Sequence, residues 1–296
     1  MKLFEFLKYM SLAIASLALI SPAQASVCDR PDRLKFSLVP QGDFKNDIAQ
    51  LQPLFDNLQH ALDMPVTIVI PSSYGSVIEG LLSGAIDLAR LGPAAYVSAK
   101  KEEPSLMAFA SYFRKKDIFN QASASYYSLL IARADASYES VHSLQGKAVA
   151  LVDPESTSGA LIARHIVARE TGKPIKQVFG RIIYSGSHDK SIGLVLNNRI
   201  DAAFVSSSHL STLVERGEVR LDQLKILWRS GLLPRDPFVF RGRLCRDIRE
   251  KITSVFLSQE NRQHEALLRN LQAVSFVPVT DSDYQIIRDI SAHQKP

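Results

Sequence analysis

Apolar residues in this chain recur at two periods that alternate along its length. Short β-branched or leucine-rich runs at 34–39, 66–70, 86–91, 107–113, 127–131, 148–152, 181–184, 201–205, 224–228 and 238–240 read as buried strands. Between them the apolar positions widen to helical spacing. The clearest case is 45–62, where Ile48, Leu51, Leu54, Phe55, Leu58 and Leu62 fall on one side of a helix. Strand and helix in strict alternation predict an α/β fold of parallel sheets, with ligands at the carboxyl ends of the strands. The last 50 or so residues read differently, as three helices over 244–258, 261–271 and 282–292.

Polar residues cluster where strands hand over to helices. The densest cluster is Asp153, Pro154, Glu155, Ser156, Thr157, Ser158 and Gly159, between the strand at 148–152 and a helical pattern at 160–171. A helix start leaves its first N–H groups unpaired and carries about half a positive charge, which suits an oxyanion. Three hydroxyls would add donors, and Gly159 lets the backbone approach closely. The plainer alternative is that Ser156 or Ser158 caps the helix. Three further junctions carry polar groups: Ser73 with Tyr74, residues 185–188, and Ser206 with Ser207 and Ser208. Each alone is compatible with an ordinary turn or cap. After successive parallel strands they imply one rim lined with donors, and His188 is either a helix-start histidine or one of those donors.

The N-terminus predicts export. Lys2 and Lys8 precede an apolar core at 10–20, and Ala23-Gln24-Ala25 is a small-x-small cleavage site, so cleavage is expected after Ala25. The core is too short to span a membrane. Cys28 lacks the preceding residues a lipid anchor requires, since Val27 and Ala25 stand at those places. The two cysteines, Cys28 and Cys245, are expected to pair in an oxidising compartment, the alternative being two unrelated buried thiols.

Composition changes little. The chain is 46% hydrophobic and 22% charged, which is globular, and its length of 296 leaves room for two domains. A formal net charge of +5, without a helix-turn-helix, finger or aromatic RNA motif, does not imply nucleic acid. The seven histidines show no paired ligand spacing, so no zinc site and no cofactor are expected.

Five short stretches then carry a resemblance: Tyr74-Gly75-Ser76-Val77-Ile78-Glu79-Gly80, Gly92-Pro93-Ala94-Ala95-Tyr96, the 153–159 cluster, Gly186-Ser187-His188 and Leu233-Pro234-Arg235-Asp236-Pro237. In their order and spacing the chain resembles the phosphonate/phosphite/phosphate-binding family of periplasmic ABC-transporter components, often called the PhnD-like family. The resemblance covers most of residues 34–280. It implies a bilobed type II periplasmic binding protein, two α/β lobes joined by a two-stranded hinge around a closing cleft. Lobe one would comprise 26–120 plus 235–296 and lobe two 121–234, after a signal peptide at 1–25.

The resemblance also implies a site. Tyr74 would donate from lobe one and Tyr126 from the first crossover. Ser156, Thr157 and Ser158 would hold the oxyanion, His188 would add a donor, and Asp236 would reach in from the second crossover. Neutral hydroxyls would then supply the affinity without buried Lys or Arg. Two positions depart from the family pattern: Ser208 stands where aminoalkyl-phosphonate binders carry an acid, and Leu91 where an aromatic often precedes the glycine. A small, unsubstituted phosphorus ligand is therefore expected. The implied protein is a monomer in the periplasm that passes its oxyanion to an ABC permease at the inner membrane and breaks no bond. An exported subunit sensing the ligand for a membrane kinase would use the same cleft. A serine hydrolase built on Ser156 or Ser158 with His188 and Asp236 lacks the G-x-S-x-G elbow, and no P-loop motif is present.

Overall fold

The computed structural model describes residues 28–40, 42–258, 265, 268–269 and 271–293. The expected signal segment, with its cleavage point after Ala25, and most of the helix expected over 261–271 lie outside the described residues.

Two main sheets organise the chain. The first begins with β1 (Leu34–Leu38), α1 (Phe44–Leu62), β2 (Val66–Ile68), α2 (Tyr74–Ser83), β3 (Leu88–Arg90), α3 (Pro93–Glu102) and β4 (Met107–Arg114). The chain then crosses through β5 (Ser125–Tyr126) into the second sheet. There follow β6 (Ser128–Arg133), β7 (Ala148–Leu151), a π turn at Thr157–Leu161 running into α4 (Ile162–Thr171), and the short α5 (Ile175–Val178). β8 (Arg181–Tyr184), α6 (His188–Leu196), β9 (Ala202–Ser206), α7 (Ser207–Glu215) and β10 (Leu224–Arg229) complete that unit. The chain returns through β11 (Leu233–Pro234) to β12 (Phe238–Phe240), α8 (Arg246–Leu257), β13 (Ala273–Pro278) and α9 (Gln285–Ala292).

The first lobe is built on the six-stranded sheet β13-β4-β12-β3-β1-β2, the second on the five-stranded sheet β10-β6-β9-β7-β8. A two-stranded antiparallel ribbon, β11 with β5, joins them, with Leu233 opposite Tyr126. This is the expected bilobed α/β architecture with a two-stranded hinge.

The sheets are mixed rather than wholly parallel. β1 is parallel to β2 and β3, and β7 to β8 and β9. The strands that follow the crossings run the other way, β12 antiparallel to β3 and β4 and β6 to β9 and β10; β13, later in the first lobe, is also antiparallel to β4. A strand arriving from the other lobe is not fed by a crossover helix of its own sheet, so nothing forces it parallel.

Both sheets are buried on two faces, which is why their strands read as continuous apolar runs. In β6, Leu130 and Ala132 face one core with Leu151 and Phe204, while Leu129 and Ile131 face another with Val205 and Leu210. In the first lobe Leu34, Phe36 and Leu38 meet α1 and α8, and Ala89 and Val239 meet α2 and α3 on the other side.

Cys28 is bonded to Cys245, as expected, and ties the start of the first lobe to its returning segment. Beside it Asp29 bridges to Leu244, and Arg241 ion-pairs with Asp29 and, at 2.6 Å, with the fully buried Asp87. β13 was not anticipated: its burial is irregular and it gives no clean alternation, yet it pairs along most of β4.

Candidate functional site

The helix starts behave as the junction residues suggested, with one refinement. Ser156 is the N-cap, accepting from Gly159 N at 3.1 Å, but the first turn is a π turn: Leu161 N reaches back five residues to Ser156 O at 2.9 Å. A Cβ on Gly159 would come within 2.4 Å of a Val152 methyl, so only glycine lets the turn lie against the end of β7. The wider turn places three consecutive hydroxyl residues, Ser156, Thr157 and Ser158, in buried positions at the helix start.

Those three, with Tyr74, Tyr126, His188 and Asp236, line one cavity of about 30 Å³ at the junction of the two lobes. All seven residues singled out from the sequence are thus brought together. Tyr74 comes from the first turn of α2, Tyr126 from the hinge ribbon, His188 from the first turn of α6, and Asp236 from the crossing between β11 and β12. Ser73 and Ser187 are plain caps, accepting from Ser76 N and Lys190 N. Ser207 binds Tyr127 N and Asn120 and is structural.

Lobe two also caps lobe one. Thr157 Oγ1 accepts from Ala94 N at 2.8 Å, in the first turn of α3, whose own N-cap Gly92 has no side chain to offer. Asp153 Oδ2 accepts from Tyr74 N at 3.4 Å, at the start of α2, while its other oxygen holds Glu155 N. Because Thr157 uses a lone pair on Ala94, its hydroxyl proton stays available for another acceptor.

The site is built to donate. Tyr74 is pushed well above the ordinary phenol range, first by burial and then by the Asp236 and Asp153 carboxylates. Tyr126 is raised by burial and then by Asp236. Both remain protonated donors. His188 is pushed well below the usual imidazole range by burial and by neighbouring His209, whose ring stacks on it at 4.8 Å. Its Nδ1 accepts from Ser206 N at 3.1 Å, so the neutral ring carries its proton on Nε2.

Ser206 and Ser208 of the expected rim line the cavity too, with Gly92. The sequence reading missed the rest of the wall, Tyr112, His209 and Arg235. Arg235 corrects the expectation of a site without buried cations: it is 3% exposed, donating from Nη1 to Ser208 Oγ at 2.9 Å and from Nε to Ser123 O at 3.3 Å. Its one sequence signal was adjacency to Asp236. Tyr112 carried none, since it reads as one position within β4.

The comparisons with known proteins bear on the family and the fold. Residues 36–284 match the family model described as ABC transporter, phosphonate, periplasmic substrate-binding protein. The phosphate-import protein PhnD of Mycolicibacterium smegmatis is 26% identical over 278 residues, covering 88% of this chain and 85% of that protein. A binding protein component of an ABC phosphonate transporter from Pseudomonas aeruginosa superposes with a TM-score of 0.79 at 24% identity, covering 89% of this chain and 86% of that one. PhnD1 from Prochlorococcus marinus, solved with methylphosphonate, gives a TM-score of 0.77 at 20% identity, with 89% and 98% covered. The chain belongs to the periplasmic substrate-binding proteins of ABC phosphonate transporters.

Proposed function

We propose that this member of the family captures a phosphorus oxyanion (phosphate, phosphite or a phosphonate) between its lobes and delivers it, as a monomer, to an ABC permease at the inner membrane. The carrying observation is the convergence of hydroxyl, phenol and imidazole donors from both lobes and the hinge on one cavity. Ser156, Thr157 and Ser158 would hold the oxyanion from the second lobe, Tyr74 from the first, and Tyr126 and His188 would complete its shell. The lobe division proposed is 26–120 plus 235–296 and 121–234, which the membership of the two sheets supports. The family is exported to the periplasm, and we place the cleavage after Ala25.

Asp236 supplies the discrimination. A carboxylate beside an anion repels it unless the anion still carries a proton to donate. Phosphate, phosphite and phosphonates retain P–OH in part near neutral pH, whereas sulfate has none, so sulfate meets an unmatched like charge. A charge-assisted bond of this kind contributes about 1.5–3 kcal/mol, or roughly ten- to a hundredfold in affinity.

The geometry speaks against hydrolysis. A triad histidine must accept a proton from serine while a carboxylate holds its other nitrogen. Here Nδ1 of His188 is occupied by a backbone donor, leaving Nε2 protonated and unable to act as base.

A thermal-shift panel of phosphate, phosphite, methylphosphonate, 2-aminoethylphosphonate and sulfate tests the proposal. Ligand at a hundred times its dissociation constant adds about 2.7 kcal/mol, enough to read. The expected outcome is a shift with at least one phosphorus oxyanion and none with sulfate, the gap narrowing in Asp236→Asn. A shift only with an organic compound lacking phosphorus would overturn it.

A further inference from the structure

The donor cavity adjoins a much larger chamber of about 320 Å³, and Tyr112, Ser208 and His209 border both. At that border stand two deeply buried guanidinium groups. Arg114, at the end of β4, is 5% exposed, and Arg235, in the crossing after β11, is 3% exposed. Both lean on Ser208. Arg235 Nη1 donates to its Oγ at 2.9 Å, and Arg114 Nη1 reaches its carbonyl at a long 3.4 Å. Arg114 Nη2 makes an equally long contact with Thr212 Oγ1.

Each guanidinium keeps one buried nitrogen without a hydrogen-bond partner, Nε of Arg114 and Nη2 of Arg235. Among the described residues no carboxylate lies within 4.0 Å of either. Buried donors are ordinarily satisfied and buried charges ordinarily paired, so two adjacent exceptions call for an anion that the protein does not itself contain. The chamber's own carboxylates lie beyond ion-pair reach of both guanidinium groups, and one oxygen each of Asp47 and Asp189 is itself buried without a hydrogen-bond partner. Asp189 sits 3.5 Å from His209, Asp43 caps α1, and Arg90 faces Asp47 closely enough to oppose the rise that burial imposes on its carboxyl.

We propose that Arg114 and Arg235, joined through Ser208, read a second anionic group on the ligand. The preferred cargo is then a phosphorus oxyanion bearing a carboxylate or a second phosphoryl group close to phosphorus. The inference rests on the proposed oxyanion site: the tetrahedral head occupies the small cavity, and the second group passes Ser208 toward the chamber. It revises the expectation of an unsubstituted ligand, which followed from Ser208 being neutral. Neutral serine here orients two cations, and those favour a second negative charge and oppose an amine.

Isothermal titration of the purified protein with methylphosphonate, phosphonoacetate, pyrophosphate and 2-aminoethylphosphonate tests it. Phosphonoacetate or pyrophosphate should bind roughly ten- to a hundredfold more tightly than methylphosphonate, and 2-aminoethylphosphonate more weakly. Whichever of the two binds better names the second group as carboxylate or phosphoryl. Arg114→Gln should shrink that advantage; the wild-type ratio decides the matter even if the variant does not fold. Methylphosphonate binding as tightly as both dianionic probes would sink this inference alone. Binding by no phosphorus compound would remove the oxyanion site and this inference together.

Discussion

The two lobes solve the same folding problem in opposite ways. The second is one uninterrupted stretch from β6 to β10, with its helix starts at Ser156 and Ser187 capped by their own side chains. The first is assembled from segments on either side of it in sequence; Asp43 and Ser73 cap α1 and α2 from within it, but α3 takes its cap from Thr157 across the cleft and α2 a further bond from Asp153. The second lobe therefore presents Ser156, Ser158 and His188 already oriented, whereas what the first contributes depends on how the lobes meet. A binding protein gains from this division: a preorganised half costs nothing further to order when ligand arrives, and the dependent half can report its arrival.

Removing the disulfide should separate the lobes most. Cys28 and Cys245 close a loop 217 residues long, worth roughly 5 kcal/mol at most by chain entropy. The constraint acts on the first lobe, whose two segments it joins. Denaturant unfolding of a Cys28→Ser/Cys245→Ser variant should show an early transition for the first lobe, while Trp228 fluorescence reports an unmoved transition for the second. A single shifted transition would mean that the lobes unfold as one unit and that the contrast is one of topology alone.

How much of this could be read beforehand follows the same division. The second lobe's strands alternate between two apolar faces and its hydroxyl cluster is contiguous, so both fold and site were legible between 148 and 208. Where the site draws on distant segments, local pattern fails. Arg114 ends a strand and Arg235 lies in a crossing, and nothing near either announces that both converge on Ser208. The antiparallel return of β12 was hidden for a related reason, because direction in a sheet is set by where the chain comes from. The π turn at Thr157–Leu161 was also illegible, since it is forced by Gly159 lying against Val152, a contact made only in three dimensions.

Acid should distinguish the lobes more gently. Both histidines held below the usual imidazole range, His188 and His165, belong to the second lobe, and burial is the leading cause for each. Folded, they resist protonation; unfolded, they take up a proton near pH 6.5. The unfolded state thus binds more protons below that value, and stability is full above it and lost as pH falls. His188 alone can contribute a slope of about 1.4 kcal/mol per pH unit. Between pH 7.5 and 5.5, above the ordinary range of carboxylates, the second-lobe transition should weaken while the first holds. His188→Asn, which retains a side-chain amide able to donate, should flatten that slope. A slope unchanged in the variant would place the pH sensitivity elsewhere.

The smallest expected effect bears most directly on how the halves communicate. Thr157 serves two ends at once: Oγ1 accepts from Ala94 N in the other lobe, which leaves its proton for a second acceptor, the ligand in the site proposed above. Thr157→Val keeps the shape, removes both functions and leaves the Ala94 amide buried without a partner. Loss of a cap costs about 0.5–2 kcal/mol. Because this cap spans the cleft, the cost falls on closure and not on either lobe's own stability. Ligand affinity should drop by roughly two- to thirtyfold, the arithmetic equivalent of that range. Unfolding of the second lobe should not move, and small-angle scattering of the ligand-free variant should show a larger radius of gyration than wild type. Ser187→Ala is the matched comparison, since it removes a cap within the second lobe: it should lower that lobe's stability and leave the ligand-free radius unchanged. If Thr157→Val instead destabilises the second lobe and leaves the shape alone, its hydroxyl is a local strut, and α3 of the first lobe does not depend on the second for its cap.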